Sequence, residues 1–174
     1  MGSARRGIEF LEKNCPIRRE HIPQELPFIV VAPSCDDYMW FENMTNVISF
    51  VKECIEWDFV DSNRIYLTGA SMGGYFSWTL SALHPELFAA AVICCGAGPY
   101  FAANRIKFPV RVIAGGKDET VLPRESEIMA ERINAAGGSA ELFLYEELGH
   151  NVWATVFGNA ETYEWLISNK KSQT

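Results

Sequence analysis

The chain is short of positive charge, of histidine, of aspartate and of long apolar runs, and each shortage excludes something. Its 174 residues hold 15 Lys or Arg against 22 Asp or Glu, a formal net charge of −7. Affinity for a phosphate backbone rests on basic side chains that neutralise it, so no nucleic-acid partner is expected. The one basic-leaning stretch, Arg5, Arg6, Lys13, Arg18 and Arg19, is interleaved with Glu9, Glu12 and Glu20 and reads as a solvated face. No run of roughly eighteen apolar residues occurs, so no membrane-spanning helix is expected. No apolar stretch backs Met1-Gly2-Ser3-Ala4-Arg5-Arg6 as a signal peptide would require. The cysteines, Cys15, Cys35, Cys54, Cys94 and Cys95, are odd in number, irregularly spaced and without a C-x-x-C pair. That pattern argues against a disulfide framework and against a zinc site of the paired-cysteine type, and for a reducing, cytoplasmic setting. No metal or cofactor is expected. Gly and Pro, 13 and 8 residues, are too few for a collagen-like or low-complexity chain.

What is present is ordinary globular material: 48% hydrophobic and 21% charged residues. The length suits one domain, residues 1–174, since a domain takes roughly 100–200 residues. Short apolar, β-branched runs alternate with helical patterns. Five strands are predicted: Phe28-Ile29-Val30-Val31-Ala32, Ile65-Tyr66-Leu67-Thr68, Ala90-Ala91-Val92-Ile93-Cys94-Cys95, Val110-Arg111-Val112-Ile113-Ala114 and Leu142-Phe143-Leu144-Tyr145. Most are apolar on both faces, as in a parallel sheet covered by helices on each side. Helices are predicted over residues 45–57, 72–83, 124–136 and 161–168. Strand–helix alternation of this kind reads as an α/β fold.

The strongest chemical signal is Gly69-Ala70-Ser71-Met72-Gly73-Gly74, a G-x-S-x-G match with a strand running in and an apolar helix running out. Such a turn holds a serine in a strained conformation with its hydroxyl presented. Gly69 and Gly73 are expected to be small because backbones crowd the turn. The helix N-terminus favours negative charge, and the Met72 N–H can face a developing oxyanion.

A serine is a weak nucleophile without a base, and three histidines are available. His84 precedes Pro85 and reads as a helix-end cap; His21 lies in a polar segment. His150 follows the last strand, at the carboxyl end where open α/β sheets place ligands. An acid must orient that base. Among Asp36, Asp37, Asp58, Asp61 and Asp118, the last alone follows a strand lying between serine and histidine in the chain. Glu119 is its nearest rival. The candidate catalytic set is therefore Ser71, Asp118 and His150.

The chain resembles the α/β-hydrolase superfamily, close to the phospholipase/carboxylesterase and polyhydroxybutyrate-depolymerase-like esterases. Beyond the elbow the resemblance rests on Phe28-Ile29-Val30-Val31-Ala32-Pro33, His84-Pro85-Glu86-Leu87-Phe88-Ala89-Ala90 and Gly149-His150-Asn151-Val152-Trp153. It implies an α/β-hydrolase sheet, mostly parallel, with helices on both faces. It also implies a serine carboxylesterase acting through an acyl-enzyme, with Ser71 as nucleophile. Trp40 and Trp153 would stand near the acyl or alcohol pocket. Short-chain esters are the expected substrates, because no lid-like apolar insertion is visible. A peptidase or thioesterase with the same residues, or a catalytically impaired domain that self-associates, are the alternatives.

Members of these families carry more chain ahead of residues 28–32, including a strand that ends in a His-Gly-rich loop. Here Gly2-Ser3-Ala4-Arg5-Arg6-Gly7 resembles the rest of that loop, so Gly2 or Ser3 is expected to give the second oxyanion N–H, and a helix is expected over residues 8–14. The strand before the loop is missing. An unpaired strand edge is a template for association, so a homodimer or a rearranged sheet is expected.

Overall fold

The computed structural model describes residues 9, 15–34 and 40–171. They form two compact units, Met1–Val60 with Ala154–Trp165, and Asp61–Trp153 with Leu166–Thr174. The helix expected over 8–14 lies almost entirely outside the described residues, and so do Gly2 and Ser3.

The second unit holds the sheet. Its strands are β1 (Tyr66–Ala70), β2 (Ala90–Cys94), β3 (Pro109–Gly115) and β4 (Ser139–Tyr145), placed side by side in chain order, every pair parallel. β2 is buried along its whole length, which is why Ala90-Ala91-Val92-Ile93-Cys94 shows no polar alternation. Helix α2 (Met72–Leu83) crosses from β1 to β2, and α3 (Pro123–Ala135) from β3 to β4; a 3₁₀ turn, Tyr100–Arg105, joins β2 to β3. α3 opens with Pro123 at its first turn, where a missing N–H costs nothing. On α2, Trp78 is fully buried and its indole N–H donates to the Gly96 carbonyl at 3.0 Å, tying the helix to the end of β2.

The first unit contains α1 (Met44–Ile55) and most of α4 (Trp153–Phe157) and α5 (Ala160–Ser168). Val47 is the buried position of α1, and Ile48, Val51 and Ile55 lie at the same helical spacing. Tyr163 is buried, donates to the Phe157 carbonyl at 2.8 Å and meets the Phe28 ring edge-on at 6.0 Å. Among the described residues no helix is long and apolar enough to cross a membrane.

The expected first strand, Phe28-Ile29-Val30-Val31-Ala32, is not a strand. It carries no sheet pairing, and Ile29, Val30 and Val31 are 54%, 44% and 42% exposed. A strand exists only as half of a ladder. Among the described residues none forms a ladder with this segment, and β-branched composition alone does not make a strand. Nor does the sheet close up: among the described residues β1 pairs with β2 alone. The short helix α4 was not foreseen.

Candidate active site

All four strands run the same way, so their carboxyl ends share one rim, and the site is built there. β1 leads directly into Ser71, whose backbone N–H donates to the Cys94 carbonyl at 2.9 Å. Ser71 adopts φ 55°, ψ −121° and is followed at once by α2. A non-glycine residue at positive φ stores strain, and here the strain turns the chain sharply from strand to helix. The turn closes tightly. A Cβ on Gly69 would stand 2.3 Å from the Gly73 carbonyl oxygen, and one on Gly74 would stand 2.8 Å from that of Cys94. At Gly73 a Cβ would meet nothing within 4 Å, so the crowded pair is Gly69 and Gly74, not Gly69 and Gly73. The reason is geometric: Gly73 offers its carbonyl to the crowding, while Gly74 faces the loop after β2.

Ser71 is the N-cap of α2 by position, yet its side chain makes no cap bond. Its Oγ instead lies 2.8 Å from His150 Nε2. His150 Nδ1 lies 2.8 Å from Asp118 Oδ2. The structure thus brings the three far-apart residues into one hydrogen-bonded line.

Asp118 sits in the turn after β3. Its Oδ1 accepts the N–H groups of Thr120 at 2.8 Å and Val121 at 2.9 Å. Burial alone would raise this carboxyl. The Val121 amide, the His150 ring, the Thr120 amide and the Cys95 thiol outweigh that burial and hold it below its ordinary 3.8. It is therefore ionised at neutral pH and can only accept. The proton between the two side chains then belongs to His150 Nδ1, which leaves Nε2 free to accept from the Ser71 hydroxyl. Glu119, the rival acid, points to solvent. His150 is also braced by Trp153, whose ring stands perpendicular to the imidazole at 5.2 Å. The other histidines lie elsewhere: His84 ends α2 and pairs with Glu86 at 3.1 Å, and His21 ends a 3₁₀ turn.

The Met72 N–H belongs to the first turn of α2, where amides have no partner inside the helix. Trp40 lies in the turn leading into α1, in the first unit. One residue at the rim went unrecognised in the sequence. Cys95 follows β2 directly, and its sulfur lies within 4.8 Å of both an Asp118 oxygen and a His150 nitrogen. Its position just past a parallel strand's carboxyl end was the available signal; the apolar run around it read as plain core.

A parallel sheet that turns from strand to helix through a strained serine, with an aspartate and a histidine at the ends of later strands, defines an α/β-hydrolase fold. The comparisons narrow this. The sequence profile of the dienelactone hydrolase family matches residues 40–162, and the chain belongs to that family. It is 32% identical over 101 residues to a putative carboxymethylenebutenolidase of Salmonella typhimurium, covering 52% of this chain and 37% of that protein. It is 33% identical over 61 residues to poly(3-hydroxyalkanoate) depolymerase C of Paucimonas lemoignei, covering 35% of this chain and 14% of that one. Among solved structures, a thermostable esterase superposes with a TM-score of 0.74 at 29% identity, covering 80% of this chain and 43% of that chain. The chain thus spans less than half the length of these relatives.

Proposed function

We propose that this chain is a serine hydrolase of carboxylic esters, preferring short acyl groups, that works through an acyl-enzyme. The observation that carries the reading is the unbroken line from Asp118 through His150 to Ser71, both hydrogen bonds at 2.8 Å. Its relatives carry the names of a butenolidase, a polyester depolymerase and an esterase, which favours an ester bond over a peptide or thioester.

In this mechanism Ser71 Oγ attacks the ester carbonyl while His150 Nε2 takes its proton. Asp118 keeps the imidazole in the required tautomer and stabilises its cation. The carbonyl oxygen, now negative, is met by the Met72 N–H at the start of α2; a donor of this kind contributes roughly 3–4 kcal/mol to the transition state. The second donor is assigned to Gly2 or Ser3. His150 then returns the proton to the departing alcohol, and a water activated by the same nitrogen releases the acid. Trp153, edge-on to His150, is assigned to the acyl or alcohol pocket.

The test is Ser71→Ala against p-nitrophenyl acetate and butyrate, alongside fluorophosphonate labelling. Turnover and labelling should both vanish. Activity within threefold of wild type would falsify the assignment.

The partner proposed beside the small-molecule ester is a second copy of the chain. Among the described residues β1 has one hydrogen-bonded neighbour, as the end strand of the sheet, and end strands are where a second chain can pair. Light scattering that returns the mass of a monomer at all working concentrations removes this partner.

A further inference from the structure

We propose that Trp78 is a positioning residue for this site: its buried indole N–H, closed on the Gly96 carbonyl, clamps the start of α2 to the end of β2 and so fixes where the Met72 N–H stands relative to Ser71. The role rests on the hydrolase reading given above.

The hydrogen bond comes first. Trp78 is fully buried, and its Nε1 lies 3.0 Å from the Gly96 oxygen. An indole N–H can only donate, and once buried it must find an acceptor. Here the acceptor is a carbonyl of the loop that leaves β2 at the rim of the site. The same loop then touches the root of the side chain: a Cβ on Gly98 would stand 2.9 Å from Trp78 Cβ and 2.8 Å from Met129 Sδ on α3. The loop therefore meets Trp78 at both ends of the side chain, by hydrogen bond and by close packing.

The seam between α2 and that loop is the second observation. Ser71 donates its N–H to the Cys94 carbonyl at 2.9 Å. Gly74 lies over the same carbonyl, and a Cβ on Gly96 would stand 2.6 Å from the Gly74 carbonyl carbon and 2.8 Å from the Tyr75 nitrogen. Backbone rests on backbone at Gly74 and Gly96, an approach that glycine admits. These contacts pin the beginning of the helix and leave its direction to be set elsewhere. Trp78 supplies a further point, six residues beyond Met72, or about 9 Å along the axis at the helical rise. A rod held at two separated points has a fixed direction; held at one, it pivots.

The direction of α2 has a chemical consequence. In the proposed mechanism the Met72 N–H, in the first turn, meets the oxyanion. Such a donor helps only if it is already aimed where the negative charge develops. A tilt of the helix moves the donor off that position. The nucleophile is held separately, by β1, by the Cys94 carbonyl and by the His150 ring. Losing the Trp78 bond should therefore weaken an interaction made in the transition state and spare ground-state binding, which lowers kcat and leaves KM alone.

The experiment compares Trp78→Phe and Trp78→His with the wild-type chain, on p-nitrophenyl butyrate at mildly alkaline pH. Phenylalanine keeps most of the apolar ring and has no N–H. Histidine loses the benzene half of the indole, but its Nε2 takes the ring position that Nε1 holds in tryptophan, and burial keeps it neutral. Trp78→Phe should lose about tenfold in kcat with KM within about twofold, and should bind n-propylboronic acid, a mimic of the butyryl tetrahedral intermediate, about tenfold more weakly. Trp78→His should melt below Trp78→Phe, because it leaves the larger cavity, yet return to within about threefold of the wild-type kcat. A residue that only packs gives the reverse, with kcat following the melting temperature. That order overturns the proposal, as does a wild-type kcat in Trp78→Phe. A second measurement needs no variant to fold. Coupling between two positions is reciprocal, so phosphonylation of Ser71 by a fluorophosphonate should slow hydrogen exchange at the Trp78 indole about tenfold in ¹⁵N-tryptophan-labelled wild-type chain. Unchanged exchange overturns the proposal. Absence of fluorophosphonate labelling in the wild-type chain overturns the hydrolase reading itself, and this role with it.

Discussion

Gly115 and Gly149 meet backbone to backbone: a Cβ on Gly115 would stand 2.3 Å from the Gly149 carbonyl oxygen and 2.6 Å from that of Leu148. The loop that carries Asp118 and the loop that carries His150 are laid directly on each other. The Lys117 N–H reaches the Leu148 carbonyl at 2.9 Å, and the Lys117 ammonium pairs with Glu147 on the outside. The spacing between Asp118 and His150 is therefore set by main chain, not by flexible side chains.

Gly115→Ala should force those two loops apart. The obstructing atoms are backbone, which cannot step aside, so the cost is expected at about 1–3 kcal/mol. A thermal melt reads the stability, and ester turnover should fall further than stability alone accounts for. Gly73→Ala provides the opposite case. A Cβ there meets nothing within 4 Å, and the position lies inside α2. Alanine should raise stability by about 0.5–1 kcal/mol.

The strain at Ser71 gives a second comparison. Ser71→Ala and Ser71→Gly both remove the hydroxyl and should both be inactive. Glycine accepts φ 55° without penalty, whereas alanine does not. Ser71→Gly should therefore melt at or above Ser71→Ala. The reverse order would show that the turn is not under strain.

Asp118→Asn keeps the shape of the acid and removes its charge. The imidazole then loses the partner that selects its tautomer, and turnover should fall on the order of 10⁴-fold. The variant also has a signature in stability. A carboxyl held below 3.8 in the folded chain contributes stability above that value, and loses it as pH falls through the lower folded value. The gap in melting temperature between wild type and Asp118→Asn should be widest near neutral pH. It should narrow as pH falls from about 5 toward about 2. A gap constant over that range contradicts the assigned ionisation.

Thiol chemistry separates the cysteines. Cys94 is fully buried, and burial raises its thiol well above 9.0; Cys95 is pushed up to about 12. The thiolate is the reactive form. Iodoacetamide followed by peptide mass spectrometry should find both unmodified in the native chain and modified after denaturation. Cys15 and Cys54, which are half-buried, should react first.

Much of this fold was legible because parallel strands buried on both faces leave dense apolar runs, as at Val110-Arg111-Val112-Ile113-Ala114. Strand ends shifted by a few residues: β4 begins at Ser139, well before the apolar stretch that signalled it. Ser139 and Glu141 are polar and exposed, so composition could not mark the start of this strand. Residues 28–32 carry strand composition and form no strand, because pairing is a property of a neighbour and not of the segment. The serine was legible from local chain geometry alone, since the elbow needs glycine at fixed offsets. Asp118 and His150 were singled out through their places after strands. Cys95 escaped because a thiol in an apolar run reads as core whether or not it reaches the rim. The contact of Gly115 with Gly149 joins residues far apart in the chain, and no local pattern reports it.

Strand order equals chain order in this sheet, and each strand delivers one member of the site: Ser71 after β1, Cys95 after β2, Asp118 after β3 and His150 after β4. During synthesis Ser71 therefore emerges first and His150 last. A chain cut short before His150 holds the Ser71 turn without the ring nitrogen that lies 2.8 Å from it, and in the proposed mechanism such a hydroxyl has no base to take its proton.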